Sequence, residues 1–100
     1  MRSEELTQNK IEIITNQIRE FLFEKNARYG NSALEPLGVF TKHLSVENIT
    51  RSGILVRLDD KLKRIQNSSI LRKNDVVDLV GYCILLMVCE EWTDLQDQID

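Results

Sequence analysis

Between Val76 and Cys89 the chain reads VVDLVGYCILLMVC, so almost every position is apolar. The length of the run, and the lack of strong turn signals inside it, predict a helix rather than a buried strand. A helix that is apolar on all sides has to be covered on all sides. Two further helices of a single 100-residue chain can hardly do that. The run therefore predicts an all-α protein, one helical domain over residues 1–100, whose bundle is completed by homo-oligomerisation as a dimer or larger assembly.

The same run is too short to cross a bilayer, which takes about 20 apolar residues. The opening MRSEELTQNK lacks the apolar stretch of a secretion signal. Cys83 and Cys89 sit among apolar neighbours and read as buried thiols of a reducing compartment. These features set the expectation of a cytoplasmic protein with no membrane partner. Thirteen basic and sixteen acidic residues give a net charge of −3, with no block of like charge. A large nucleic-acid footprint is thereby disfavoured, whereas a local cation cluster for a small phosphate ligand is not.

Three main helices and one long loop are expected. Helix one spans about Glu4 to Ala27, with Ser3 as N-cap and Gly30 as the stop. Ile11, Ile14, Ile18, Phe21 and Leu22 recur on it at helical spacing. Gly30 to Leu44 form a loop longer than the usual roughly 4–6 residues, yet with Leu34, Leu37, Val39 and Phe40, and so ordered on the core. Helix two starts after Ser45 and ends near Asn67-Ser68-Ser69, with Gly53 as a candidate break and Leu55, Leu58, Leu62 and Ile65 as its apolar stripe. Helix three begins near Arg72 to Asn74, with Asn74 as N-cap, and runs to about Leu95.

The polar exceptions in helix three carry the chemistry. Asp75, Asp78 and Tyr82 lie at i, i+3 and i+7, on one face. Two carboxylates at that spacing can converge on one divalent cation, and Mg²⁺ takes oxygen ligands while keeping waters for a phosphate to share. Asp75 reads equally well as part of the helix start. Asp78 is costly in so apolar a segment unless it is paired or metal-bound.

Helix two repeats the spacing with Arg57, Asp60 and Arg64. Asp59–Lys63 and Asp60–Arg64 are i, i+4 pairs on a charged face. Lys61 differs, because it falls on the side of Ile54, Leu58 and Ile65 and can reach a phosphate. Glu20 and Glu24 on helix one are either surface acids or added metal ligands. Arg28 and Tyr29 suit a phosphate and a base, or simply complement the helix C-terminus. His43 is an ordinary loop residue. There is no nucleophile–base pattern, phosphate-cradling Gly-rich loop or zinc spacing.

Three blocks, KNARYGNSALEP over 25–36, VRLDDKLKRI over 56–65 and DVVDLVGY over 75–82, resemble a family of small phage and prophage proteins. That family is similar to the MazG-like all-α nucleotide pyrophosphohydrolases, and the resemblance covers roughly residues 18–88. Such enzymes use acid pairs on two helices to hold Mg²⁺ and split a nucleoside triphosphate into monophosphate and pyrophosphate. The resemblance implies that Asp75 and Asp78 match the second pair. The first pair is spaced i, i+3 in those enzymes, whereas Glu20 and Glu24 lie at i, i+4 here.

The first expected function is therefore a phage-type protein that holds or sequesters a phosphorylated nucleotide, such as a nucleotide-derived signal of host defence, without hydrolysis. Arg28, Tyr29, Arg57, Lys61, Arg64 and Tyr82 would bind it. The alternative is a Mg²⁺-dependent pyrophosphohydrolase, with Asp75, Asp78, Glu24 and Asp60 on the metal. A helical adaptor without a small ligand is the third.

Overall fold

The computed structural model describes residues 2–30, 33–34 and 46–99, the side chains of residues 46–48 excepted. Its elements are α1 (Ser3–Tyr29), α2 (Val46–Asn67), α3 (Lys73–Cys89) and a single 3-10 turn, Gln96–Gln98. All regular structure among the described residues is thus helical, as the sequence predicts. No helix among them is long and apolar enough to cross a membrane. The expected ordered loop from Gly30 to Leu44, with His43, and the following Ser45 lie outside the described residues except at Gly30, Ala33 and Leu34.

The chain divides into two units, Met1–Gly30 and Asn31–Asp100. The first is α1. Glu4 and Glu5 complement the positive end of its dipole and Arg28 the negative end. The helix starts at Ser3 itself, with Arg2 in the cap position and no side-chain cap. Gly30 ends it at φ 64°, a left-handed backbone that an L side chain adopts only with strain. None of its residues is buried, and of its apolar stripe Ile11, Ile14 and Phe21 are exposed while Ile18 and Leu22 are half-buried.

The second unit is built on an antiparallel hairpin of α2 and α3. Arg51 near the start of α2 clasps Glu90 just past the end of α3, its Nη2 lying 3.2 Å from Oε2. Lys61, two-thirds along α2, meets Asp75 and Asp78 in the first half of α3. At the start of α2 the buried Thr50 hydroxyl donates to the Leu34 carbonyl at 3.1 Å.

The inner face of α2 is not the stripe of Leu55, Leu58, Leu62 and Ile65. Ile54 is fully buried and Leu58, Lys61 and Ile65 are half-buried, whereas Leu55 and Leu62 are exposed. The helix is rotated so that Lys61 faces the α3 carboxylates and Ile54 is enclosed, which leaves the two leucines outside. Gly53 does not break α2, which runs through it without interruption. A helical glycine costs about 1 kcal/mol relative to alanine, too little to end a helix that packs on a neighbour.

Helix α3 stops at Cys89, six residues before Leu95. Its start is Lys73, with Arg72 rather than Asn74 in the cap position. At its end, the Glu91 N–H donates to the Val88 carbonyl at 3.1 Å and the Trp92 N–H to the Met87 carbonyl at 2.9 Å. These are the two bonds of a Schellman motif, with Glu91 at φ 60° in the position glycine normally fills. The signal for that stop is missing from the sequence because a glutamate carries it.

Within this unit α3 has no fully exposed and no fully buried side. From Val77 to Met87 every residue except the buried Gly81 is half-buried. Cys83 and Cys89 are both free thiols and half-buried.

Candidate functional site

The α2–α3 seam gathers the polar residues of both helices into one line. At its centre the Lys61 ammonium lies 2.9 Å from Asp78 Oδ2 and 4.0 Å from Asp75 Oδ1. The i, i+3 spacing of the two aspartates turns both carboxylates toward the same point across the seam. Only 13% of the Lys61 side chain and 8% of the Asp75 side chain are exposed. An aspartate so shielded is costly unless its charge is answered, and Lys61 answers it.

One turn farther from the α2–α3 turn, the Arg57 guanidinium carbon sits 5.9 Å from the centroid of the Tyr82 ring. That is within cation–π range. In the opposite direction the hairpin closes on a polar cleft of about 620 Å³. Asp60, Lys63, Arg64, Asn67 and Ser68 line it from α2 and the turn, and Arg72, Asn74 and Asp75 from the start of α3. The Ser68 hydroxyl donates to the Ile70 carbonyl at 2.6 Å, shaping the turn that forms the floor. Three cations against two acids, with amide and hydroxyl groups between them, make a lining suited to an oxyanion.

Arg57, Lys61, Arg64, Asp60, Asp75, Asp78 and Tyr82 are thus brought to one seam. Asp60–Arg64 and Asp59–Lys63, expected as surface pairs, form no ion pair, in keeping with the small gain such exposed pairs offer. Glu24, Arg28 and Tyr29 belong to the first unit. There the Arg28 guanidinium holds the Glu24 carboxylate at 2.7 Å, and Tyr29 is exposed. Among the described residues no three of His, Cys, Asp and Glu come together as a metal-binding group.

Sequence reading passed over Asn67, Ser68, Arg72 and Asn74 as parts of the cleft. In the sequence each marks only a helix end. The signal available was local: a basic residue directly after a short turn, opposite the cationic end of the preceding helix. Comparison with protein-family models, with curated proteins and with solved structures finds no match to this chain.

Proposed function

We propose that the chain is a binding protein that holds a phosphorylated nucleotide at the α2–α3 seam without hydrolysing it. The observation that carries this reading is the position of Lys61. Its ammonium stands between Asp75 and Asp78, 4.0 Å from one carboxylate and 2.9 Å from the other, in the space that a divalent cation shared by the two would need. The donor set at that point therefore suits a resident side-chain cation rather than Mg²⁺. The phosphate groups belong in the cleft, against Arg64 and Arg72, with Asn67 and Asn74 as hydrogen-bonding partners. The base belongs near the Tyr82 ring and the Arg57 guanidinium. Arg57 and Arg64 are seven residues apart on α2, about 10 Å along the axis, a span a nucleotide bridges.

The test is an incubation of the full chain with nucleoside triphosphates, cyclic dinucleotides and ADP-ribose derivatives, each with and without Mg²⁺. The protein is then recovered, heated and its released ligand chromatographed. A holding protein returns one class of ligand intact, in equal amount with and without the metal. Monophosphate and pyrophosphate appearing only with Mg²⁺ would overturn the proposal in favour of a MazG-like hydrolase. No retained ligand at all would leave the adaptor reading.

A further inference from the structure

The two ends of the α2–α3 hairpin are opposite in charge, and both expose apolar side chains. At the turn end stand Lys63, Arg64, Arg72 and Lys73, none of them in an ion pair among the described residues, beside the exposed Ile70 and Leu71. At the far end α3 runs into a tail that carries Glu91, Asp94 and Asp97 between the exposed Trp92, Leu95 and Ile99. This tail is folded locally, with the Gln96 N–H donating to Asp94 Oδ1 at 3.1 Å and a 3-10 turn at Gln96–Gln98. The ends are separated by the 17 residues of α3, about 25 Å, so the tail is held away from the turn of its own chain.

The stripe of α3 that turns away from Asp75, Asp78 and Tyr82 is also self-complementary. Val76, Val80, Cys83 and Met87 follow one another at steps of four, three and four, the spacing of a helix–helix seam. Laid against a second α3 in the antiparallel sense, with the stripe centred on itself, Val76 meets the partner's Met87 and Val80 meets the partner's Cys83. In that register Arg72 stands level with the partner's Glu91. A pairing set by the apolar stripe alone thus brings unlike charges together at both ends.

From this coincidence we infer that a second copy of the chain docks antiparallel along α3, with the acidic tail of each copy on the basic turn of the other. The arrangement is isologous and closes on itself as a two-fold dimer. Ion pairs at the rim fix its register and the apolar stripe supplies the contact area. The half-buried side chains from Val77 to Met87 are then covered from both sides. The inference does not rest on nucleotide binding, and a chain that retained no ligand would still dimerise this way.

The experiment is zero-length cross-linking of the unmodified full chain. Equal amounts of ¹⁵N-labelled and unlabelled protein are mixed and treated with a carbodiimide, which condenses a carboxylate with a lysine amine only where the two already touch. The inference expects mixed-isotope peptide pairs joining Lys73 or Lys63 to Glu91, Asp94 or Asp97. A chain that sediments as a monomer at about 100 µM, far above the dissociation constants of stable dimers, overturns it. So does a dimer whose mixed-isotope links all lie elsewhere.

Charge reversal gives an independent arm, with helicity checked by circular dichroism. The pair Arg72→Glu and Lys73→Glu, or the pair Glu91→Lys and Asp94→Lys, should each weaken self-association at least about tenfold. Mixing the two variants should restore it to within about threefold of the unaltered chain, since like charges then face unlike again. A mixture as weak as its components would rule the pairing out.

Discussion

Lys61 reaches across the hairpin seam to sit within 2.9 Å of Asp78, and the same ammonium is the nearest cation to the almost fully shielded Asp75. One lysine thereby answers two carboxylates on successive turns of the facing helix. Removing it takes the ammonium from the shielded Asp75 and from the partly desolvated Asp78. Lys61→Met is expected to lower unfolding free energy by about 2–3 kcal/mol, at the low end of the range for breaking a shielded pair because Asp78 keeps some water. Urea denaturation measures this, and the triple change Lys61→Met, Asp75→Asn, Asp78→Asn should recover much of the loss.

The same substitution should uncover a metal response. With the ammonium gone, the two carboxylates can share one hard cation in its place. Millimolar Mg²⁺ should raise the melting temperature of Lys61→Met and leave that of the unaltered chain where it is. A Mg²⁺ shift of equal size in both proteins would show that Lys61 does not occupy the cation position.

Rotation of α2 about its axis is testable by two truncations. Ile54 is fully buried, so Ile54→Ala should cost about 2–4 kcal/mol through lost transfer energy and the cavity left behind. Leu62 is half exposed, so Leu62→Ala should cost well under about 1 kcal/mol. Equal losses at the two positions would restore the leucine stripe as the inner face.

Two backbone positions should tolerate improvement. A Cβ at Gly53 would meet nothing within 4 Å, so Gly53→Ala should stabilise α2 by about 0.5–1 kcal/mol. Glu91 holds a left-handed conformation, so Glu91→Gly should gain about 0.5–1 kcal/mol at the helix stop. Both are best read by thermal unfolding at high salt, where surface ion pairs are screened.

Ligand binding, once a nucleotide class has been identified, should depend on the cleft cations. Arg64→Ala and Arg72→Ala should each weaken affinity about 10- to 100-fold, the worth of a charge-assisted hydrogen bond to phosphate. Lys10→Ala, in the other unit, should leave it unchanged. Titration calorimetry at two salt concentrations separates the phosphate contribution, which falls as ionic strength rises.

Much of this architecture was written in periodicity. The apolar run of α3, the Gly30 stop and the placement of Lys61 among Ile54, Leu58 and Ile65 are local patterns, and local patterns survive without knowledge of the partner element. The failures have a common cause. Which side of α2 is innermost depended on a pairing across the seam, and two leucines looked more inward than a lysine until Asp78 stood opposite. The end of α3 depended on one glutamate taking a conformation that sequence rules reserve for glycine. The turn over residues 67–74 was legible from Asn67-Ser68-Ser69 and Asn74, but that Arg64 and Arg72 line one cleft across it depended on how the two helices pair. The isoleucine stripe of α1 was readable as a pattern, but a pattern does not name what it packs on.

The Arg51–Glu90 clasp and the Lys61 pair lie near opposite ends of the hairpin, and together they act as a vernier. Sliding α3 by one turn past α2, about 5.4 Å, separates Arg51 from its carboxylate and at the same step ends the sharing of Lys61 between Asp75 and Asp78. Neither loss can be repaired while the other is tolerated. An offset packing, which a purely greasy seam of similar side chains would accept almost as readily, is therefore penalised twice, and the two helices find a single alignment.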